Sequence, residues 1–366
     1  MTESTRLVDL VNSRVDEFLI TRVPIVTVIS PELSPFVDFS RQFLSGGKRF
    51  RALFCYWGWQ SVTGPEASGP GADLSPVVTA AAALEIFHAA ALVHDDIIDN
   101  SDTRRGAPSA HRLFENLHAQ LGWIGGPADF GRAAAILLGD LLLGWSDELL
   151  DEGLARVSDH AAAARARVEF NLMRTEVTAG QYLDILEERA WATHPESELY
   201  DRALRVITYK SAKYSVQAPL LIGAAMAGAT EPQLQALSEF GLPLGIAYQL
   251  RDDLLGVFGD AAVTGKPSGD DLREGKRTVL IALTRDRVSP ADRDHLDGEL
   301  GDETLTPERI EVLQRMILAS GAADRVEELI AHYVARADTV LETAPLSTAA
   351  RRQLHQLSVR VTHRAA

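Results

Sequence analysis

The spacing of apolar residues constrains this chain more than any other feature of its sequence. Long segments carry Ala, Leu, Ile and Val at intervals of three and four residues, which places them on one face of a helix. Stretches that alternate apolar and polar residues, as half-buried strands do, are almost absent. The sequence therefore predicts an all-α fold. The predicted helices lie near 6–22, 36–62, 75–100, 130–151, 156–189, 197–227, 231–258, 277–286, 307–320, 322–342 and 346–363.

Loops rich in Gly, Pro, Ser or charge separate the predicted helices at 64–76, 122–129 and 259–275. None of them is long enough to be an interdomain linker, and no internal repeat of fixed period is visible. A chain of 366 residues is long enough for one large helical domain or two ordinary ones. We predict a single all-α domain over residues 1–366.

The composition limits which partners the protein can bind and indicates in which compartment it works. The chain has 51 Asp and Glu against 36 Lys and Arg, a formal net charge of -15, which argues against binding nucleic acid or anionic membranes through its overall field. A single cysteine, Cys55, excludes an intrachain disulfide framework and a Cys-rich zinc module. The longest apolar stretch noted, 218–229, is too short to cross a bilayer, and the N-terminal segment lacks the apolar run of a secretory signal. We expect a cytoplasmic protein with no nucleic-acid partner and no stable membrane insertion.

A first acidic cluster, Asp95, Asp96 and Asp99, ends a very apolar predicted helix. Asp95 and Asp99 share a helix face, where their charges repel one another and oppose the helix dipole. A divalent cation offsets such repulsion, and carboxylate oxygens suit Mg²⁺. Arg104 and Arg105 follow, and arginine binds phosphate oxygens in bidentate fashion. Taken alone, the cluster is equally consistent with a solvated acidic helix end.

A second acidic pair, Asp252 and Asp253, also ends an apolar predicted helix, with Gln249 one turn earlier. The glycine-rich loop that follows carries four cations: Lys266, Arg273, Lys276 and Arg277. Two acidic clusters at helix ends, each followed by cations, fit a site that holds a polyphosphate through bridging metal ions. The pair of clusters is therefore stronger support for such a site than either one alone.

A third charged segment is Gly46–Arg51, in which three cations within four residues follow a glycine pair. In an acidic chain, a second anion site is at least as good an interpretation as an exposed basic patch. His88 lies seven residues before Asp95 and so nearly on the same helical face. A lone histidine on an alanine-rich face is more often a core residue, but this one is close enough to the predicted site to contact a ligand.

These blocks together resemble the trans-isoprenyl diphosphate synthase (polyprenyl synthetase) family, and most closely its short-chain geranylgeranyl diphosphate synthases. The matching motifs are GGKRFR, LVHDDIIDNSDTRRG, GQYLDI, YKSAKY, YQLRDDLLGVFGD and GKPSGDDLREGK, in the family's order and spacing from Gly46 to about Lys276. The resemblance implies a helical bundle of the isoprenoid synthase type with a central apolar cavity. It also implies a Mg²⁺-dependent prenyltransferase with three ions per site, and a homodimer.

The resemblance assigns roles to individual residues. Metal ligands would be Asp95, Asp99 and Asp252, with Asp96, Gln181, Asp184 and Asp253 in or near the metal shell. The allylic diphosphate would contact Arg104, Lys210 and Lys266, and the isopentenyl diphosphate pocket would comprise Lys48, Arg51, His88 and Arg105. The reaction centre would be lined by Ser211, Tyr214, Tyr248 and Gln249. The catalytic set would be Asp95, Asp96, Asp99, Arg104, Lys210, Gln249, Asp252, Asp253 and Lys266.

One position departs from the family pattern. The second aspartate motif usually reads DDxxD, and its third position here is Gly256. The family tolerates variation at that place, and Asp252 alone can reach a metal, so the glycine predicts no loss of activity. It does put any direct role of position 256 in doubt.

The implied reaction is a head-to-tail 1′-4 condensation. Breaking an allylic C–O bond produces a carbocation and a diphosphate with developing negative charge, which Mg²⁺ and the Lys and Arg side chains stabilise. The cation needs an apolar pocket that excludes water. The double bond of isopentenyl diphosphate attacks C1, and the departed diphosphate accepts the proton that is then lost.

Product length would depend on residues below the first aspartates. The gate positions of the family correspond to Ala90 and Ala91, both small, whereas aromatic residues there would stop growth near C15. Phe87 lies one turn further down and could form a floor at about C20; the alternative is that Phe87 is only a core residue. The DDIID spacing lacks the two-residue insertion of many bacterial farnesyl enzymes. We predict geranylgeranyl diphosphate, with farnesyl or C25 and longer products as alternatives.

Three other interpretations compete. A class I terpene cyclase would share the helical architecture. It would usually carry a metal-binding triad of the NSE/DTE type, made of Asn, Ser or Thr, and Glu, and YQLRDDLLG contains no such triad. A cyclase also has no use for a second diphosphate pocket. A non-catalytic subunit of a heteromeric synthase would have lost aspartates or cations that this chain keeps. A helical scaffold protein would not explain the spacing of the charged blocks.

Overall fold

The computed structural model describes residues 3–64, 67, 69, 71–259, 268–302 and 304–362, and helices dominate them, as predicted. The first helices are α1 (Glu3–Ile29), α2 (Ser34–Leu44), α3 (Phe50–Thr63), α4 (Ser75–Ile98), α5 (Ala110–Leu121), α6 (Pro127–Leu154) and α7 (His160–Ala190). There follow α8 (Glu196–Val206), α9 (Ala218–Met226), α10 (Glu231–Phe258), α11 (Asp270–Glu274), α12 (Val279–Arg287), α13 (Pro290–Glu299), α14 (Pro307–Ala319), α15 (Ala322–Thr343) and α16 (Thr348–Thr362). Short 3₁₀ turns occupy Pro31–Leu33 and Trp191–Thr193. A small antiparallel hairpin pairs β1 (Thr103–Arg104) with β2 (Ala107–Pro108).

Residue contacts divide the chain into two compact units. Unit 1 comprises Met1–Arg167 and Ile222–Ala229, and unit 2 comprises Val168–Leu221 and Thr230–Ala366. The single domain expected over residues 1–366 stays a prediction.

Unit 1 is organised around α4, which packs against α1, α3 and α6. Every residue from Val77 to Phe87 is buried, as expected of a helix that is apolar on all sides. By length and composition α4 could cross a bilayer, whereas the stretch 218–229, taken from the sequence as the longest apolar one, is shorter. Within the protein, however, 78% of its most apolar window is buried, a property that core helices share.

In unit 2, α10 packs against α15 and against a wide-turned π-helical segment, Ile207–Gln217. The predicted continuous helix 197–227 is therefore confirmed, but its middle has π-helical and not α-helical turns. Two glycines let the neighbouring helices approach this segment. A Cβ on Gly180 would lie 2.8 Å from Cα of Lys210, and one on Gly245 would lie 2.7 Å from Cα of Ala212.

Other helix boundaries also needed correction. The predicted helix 36–62 is broken into α2 and α3, because Gly46, Gly47 and Arg49 have φ values of 67°, 86° and 50°, which no right-handed helix contains. Helices α5, α11 and α13 were not predicted, and α11 lies in the predicted loop 259–275. They have only 12, 5 and 10 residues, and on α13 Leu296 alone is buried, so they contain too few apolar residues for a long periodic pattern.

A close contact in unit 1 gives a test of the packing. An alanine at Gly223 of α9 would place its Cβ 2.8 Å from the carbonyl carbon of Cys55 and 2.9 Å from the backbone nitrogen of Trp59. We expect Gly223→Ala to lower the free energy of unfolding by about 1–3 kcal/mol. The control is Gly144→Ala on α6, where the added Cβ meets no atom within 4 Å. It should leave stability equal or raise it by up to about 1 kcal/mol. Denaturant unfolding measures both, and equal stability of the two variants would contradict the contact.

Candidate active site

In unit 1 the end of α4 holds the first aspartate cluster. The backbone N–H of Asp99 donates to the carbonyl of Asp95 over 2.8 Å, and Asn100 then turns the chain with a φ of 52°. Asp96 is fully buried, whereas Asp95 and Asp99 are half-buried. The predicted cluster therefore presents two partly accessible carboxylates and one inside the protein.

The β1–β2 hairpin brings Arg104 back onto these aspartates. Its Nε donates to Oδ1 of Asp96 over 2.8 Å, and its Nη2 donates to Oδ2 of Asp95 over 3.4 Å. The turn needs a left-handed backbone at Arg105 (φ 54°) and Gly106 (φ 76°). The structure thus joins the predicted phosphate-binding arginine directly to the predicted metal ligands.

Arg105 faces a different loop. Its Nη1 donates to the carbonyl of Ser45 over 3.1 Å, and its guanidinium lies so close to Gly47 that a Cβ there would come within 3.2 Å of Nη2. The hairpin and the GGKRFR segment therefore meet, as the predicted isopentenyl diphosphate pocket requires. Lys48 is exposed and Arg51 is half-buried in this segment.

The remaining cation of that segment, Arg49, points into the protein. Only 5% of it is exposed, and its Nη1 lies 3.3 Å from Oε2 of Glu85 on α4, which is itself 4% exposed. The other oxygen of Glu85 accepts from the backbone N–H of Ala52, in the first turn of α3, over 3.1 Å. Arg49 also donates to Oδ1 of Asn12 over 3.0 Å and to the carbonyl of Leu44. Arg49 therefore holds the loop from inside the protein. It is not part of an exposed anion site, although the three cations within four residues had indicated such a site.

His88 lies one turn after Glu85 on α4 and is half-buried. Burial lowers its pKa well below the ordinary value, and the positive charges of Arg51, Arg105, Arg104 and Arg49 lower it further. In this environment the imidazole is therefore neutral near pH 7.

The Arg49–Glu85 pair allows a test of how the loop is held. Glu85→Gln keeps the side-chain shape but leaves the buried guanidinium of Arg49 without a counter-charge, so we expect a loss of about 3–5 kcal/mol in the free energy of unfolding. As a control, Glu148→Gln removes a half-exposed partner of Arg22 (2.7 Å) and should change stability by about 0.5 kcal/mol at most. Denaturant unfolding gives both values. Similar small effects in the two variants would show that the buried pair does not fix the loop.

In unit 2 the end of α10 holds the second aspartate pair. Asp252 is exposed, whereas Asp253 is only 5% exposed and accepts a 2.8 Å hydrogen bond on Oδ1 from Nε2 of Gln249. Among the described residues, no hydrogen-bond donor reaches Oδ2 of Asp253. Burial raises the pKa of Asp253 well above its ordinary value, and the carboxylates of Asp271 and Asp252 raise it further.

Three lysines of this unit are paired with acids. Lys210, on the π-helical segment, forms an ion pair with Asp184 of α7, and Lys213 forms one with Glu176. Lys276 lies 2.5 Å from Oε2 of Glu274 and 3.7 Å from Oδ1 of Asp271. Lys210 and Lys276 thus stand beside acidic groups of unit 2, and the contact of Lys210 with the allylic diphosphate stays a prediction.

Two loop arginines have internal roles that the sequence did not predict. Arg273 donates to the carbonyls of Ser268 and Leu305, and Arg277 lies 3.5 Å from Asp297 with its guanidinium over the Trp191 ring. Lys266 lies outside the described residues.

The remaining predicted residues occupy unit 2 as follows: Gln181, Ser211 and Tyr248 are half-buried, and Tyr214 is 5% exposed on the π-helical segment. The chain-length positions belong to α4 in unit 1, where Phe87 and Ala90 are buried and Ala91 is half-buried. Sequence reasoning did not single out Glu85 or Asp271. The signal for Glu85 was a lone acid in the apolar run TAAAALEIF.

The donor set suits magnesium. In the described part of the chain, no three His, Cys, Asp or Glu side chains converge into a self-sufficient metal site. Mg²⁺ is commonly bound by one or two carboxylates together with water and substrate phosphates, so isolated carboxylates beside Arg and Lys fit that ion. Oδ2 of Asp253, a buried oxygen that no donor of the described residues reaches, also fits a site for positive charge. A helical fold with aspartates at helix ends and cations beside them fits a protein that binds magnesium diphosphate esters.

Comparison with known proteins identifies the family. The polyprenyl synthetase family model matches residues 36–317. Geranylfarnesyl diphosphate synthase of Aeropyrum pernix is 31% identical over 313 residues, which cover 86% of this chain and 88% of that one. Geranylgeranyl diphosphate synthase of Saccharolobus solfataricus is 32% identical over 277 residues, covering 75% and 74%. A crystal structure of geranylgeranyl pyrophosphate synthase from Corynebacterium glutamicum, complexed with isoprenyl diphosphate and magnesium, is 39% identical with a TM-score of 0.92 over 100% of both chains.

The chain therefore belongs to the polyprenyl synthetase family, as its motifs predicted, and is a prenyltransferase with the isoprenoid synthase fold.

Proposed function

We propose that this protein condenses isopentenyl diphosphate with allylic diphosphates (dimethylallyl, geranyl and farnesyl) and makes geranylgeranyl diphosphate as its main product. The observation that carries the proposal is the end of α4, where Arg104 bonds Asp95 and Asp96. Carboxylates that suit Mg²⁺ and a guanidinium that suits phosphate oxygens stand there side by side. Relatives named for geranylgeranyl and geranylfarnesyl products support the reaction class.

Magnesium would be held by Asp95, Asp99 and Asp252, and the Corynebacterium glutamicum structure was obtained with magnesium. When bound, Mg²⁺ supplies positive charge to the diphosphate oxygens. The number of three ions per site stays a prediction.

The side chains of this protein would act by binding and by charge. Arg104 and Lys210 would bind the allylic diphosphate and stabilise the negative charge that develops as the C1–O bond breaks. Arg105, Arg51 and Lys48 would bind isopentenyl diphosphate, and His88 would add a hydrogen bond. The double bond of isopentenyl diphosphate then forms a bond to C1, and the released diphosphate takes the proton that leaves.

The metal assignment predicts large losses in two variants. Asp95→Ala and Asp252→Ala should each lower kcat/KM at least about 100-fold, because each removes charge stabilisation of the leaving group. The exposed residues Asp16 and Asp201 provide controls, and their alanine variants should keep nearly full activity. Turnover is measured with isopentenyl and farnesyl diphosphates and Mg²⁺, with circular dichroism to verify folding. Near-normal turnover of both site variants would overturn the assignment.

Product length is the finer part of the proposal. Ala90 and Ala91 are small and Phe87 is a buried aromatic one turn below them on α4, which would leave room for a C20 chain above a floor at Phe87.

A change of that floor should change the product. Phe87→Ala should shift the products toward C25 and longer, and Ala91→Phe should shift them toward C15. The control is Ile86→Ala, which removes a side chain that is equally buried but points about 100° away around the helix. Mass analysis of products from each allylic primer gives the distribution. If Phe87→Ala makes the same products as the wild type, Phe87 is a core residue and another wall sets the length.

The same assay distinguishes the proposed synthase from the other interpretations. A terpene cyclase would release hydrocarbon from geranylgeranyl diphosphate alone, and a non-catalytic subunit would need an added partner to be active. The homodimer, the central apolar cavity and the cytoplasmic location stay predictions.

A further inference from the structure

We propose that Asp102 is a positioning residue for the isopentenyl diphosphate pocket. Its carboxylate binds Arg112 of α5 and thereby fixes the β1–β2 hairpin, whose turn carries Arg105. This inference rests on the proposed function, because that function assigns isopentenyl diphosphate to Arg105.

The hairpin cannot hold its shape by itself. Each of its strands has only two residues, and isolated two-stranded ribbons are at best marginally stable in water. Both central residues of the turn, Arg105 and Gly106, have a positive φ, a geometry that an Asn-Gly pair normally supplies. An arginine in such a strained conformation persists only where the surrounding contacts enforce it. The direction of Arg105 therefore depends on contacts outside the turn.

Asp102 closes the base of the hairpin with its backbone. Its carbonyl accepts two hydrogen bonds from Ser109 on the other side of the hairpin, one over 2.9 Å from the backbone N–H and one over 3.1 Å from the hydroxyl. The side chain of Asp102 reaches the next helix, where its Oδ1 accepts from Nε of Arg112 over 2.6 Å. Asp102 therefore connects the closed hairpin to α5.

Helix α5 offers a rigid support for this connection. A Cβ on Gly131 of α6 would overlap the carbonyl oxygen of His111 and would lie 3.1 Å from the backbone nitrogen of Glu115, so the two helices are in close contact. Arg112 lies between these two residues in the sequence, and its guanidinium also forms an ion pair with Glu115. Because two carboxylates bind it, the guanidinium is held from both sides. The position of α5 is thus passed on to the hairpin through Asp102.

The two arginines of the hairpin depend on this support to different degrees. Arg104 has an anchor of its own, since its Nε donates to the buried carboxylate of Asp96 over 2.8 Å. Arg105 donates over 3.1 Å to the carbonyl of Ser45, a neutral acceptor in an exposed stretch of loop. A guanidinium–carboxylate bond is stronger than a single bond to a carbonyl. A loosened hairpin should therefore displace Arg105 more than Arg104.

The charges around Arg105 add to its dependence on the hairpin. Burial lowers the pKa of its guanidinium, and the positive charge of Arg49 lowers it further, against an opposing effect of Glu85. Arg104 and Arg51 add smaller repulsions of the same sign. Like charges move apart unless the backbone holds them in place. The base of the hairpin therefore acts against a repulsion that is present before any diphosphate binds.

The experiment measures steady-state kinetics with isopentenyl and farnesyl diphosphates and Mg²⁺. Asp102→Ala should raise KM for isopentenyl diphosphate about 5-fold, the size expected when an exposed ion pair is lost. KM for farnesyl diphosphate and kcat should each change less than about 2-fold, since Arg104 keeps its bond to Asp96. Equal KM values for isopentenyl diphosphate in the variant and the wild type would overturn the inference.

Two further variants separate positioning from an unspecific effect of lost charge. Asp102→Asn keeps an oxygen that can accept from Nε of Arg112, so it should bring KM for isopentenyl diphosphate back to within about 2-fold of the wild type. Asp129→Ala removes the partner of Arg132 (3.1 Å) in an exposed ion pair of α6 and should leave both KM values unchanged. If Asp129→Ala raises KM for isopentenyl diphosphate as much as Asp102→Ala does, the inference is wrong.

A double-variant cycle tests the link between Asp102 and Arg112. Because both side chains act through one bond, Arg112→Ala should raise KM for isopentenyl diphosphate as Asp102→Ala does. The double variant should then have no larger effect than either single variant. Effects that multiply in the double variant would show that the two residues act separately, which contradicts the inference. Circular dichroism verifies that each variant is folded.

Arg105→Ala distinguishes a failure of this inference from a failure of the proposed function. If Arg105→Ala raises KM for isopentenyl diphosphate and Asp102→Ala does not, the positioning role of Asp102 fails and the pocket assignment stands. If neither variant raises it, the assignment of isopentenyl diphosphate to Arg105 fails as well.

Discussion

The burial of α4 is the constraint on which the unit 1 part of the site depends. A helix that is apolar on every side is stable only when neighbours cover most of it, and α1, α3 and α6 pack against it. Because the helix is fixed in the core, the few polar groups on it are held at fixed positions. Glu85 projects inward to fasten the loop before α3, and the aspartates emerge where the apolar run ends. Rigid support of this kind is what a site needs to hold ligand groups in place.

In unit 2 the aspartates are also held by rigid neighbours, but these neighbours are of a different kind. Its acidic end, on α10, is supported by a π-helical segment and by the short helix α11, and glycines permit the close approach of each. π-helical turns occur frequently at functional sites, because the extra residue in the turn changes the direction of the side chains. Here the segment carries Lys210 and Tyr214, two of the residues that the family motifs indicate.

The sequence predicted what depends on local pattern and could not predict what depends on contacts between distant segments. Helical periodicity located α4 and α10, and the spacing of charges located the aspartates and Arg104. The inward turn of Arg49 could not be predicted, because it depends on a glutamate 36 residues away that becomes a partner only after folding. Asp271 escaped notice for the same reason, since the carboxylate and the glycine it packs against belong to different helices. In the sequence, Gly256 stands where the motif usually has an aspartate. In the fold, the Asp271 carboxylate lies in the space beside it.

The contact between α9 and α3 has a consequence for the chemistry of the single cysteine. Cys55 is fully enclosed, and burial raises the pKa of its thiol to about 12, so the reactive thiolate is not formed at neutral pH. The native protein should therefore be inert to alkylating reagents and mild oxidants. A cysteine introduced on any exposed helix would then be the sole site of labelling, which makes this scaffold suited to attaching a spectroscopic probe without first removing the native thiol.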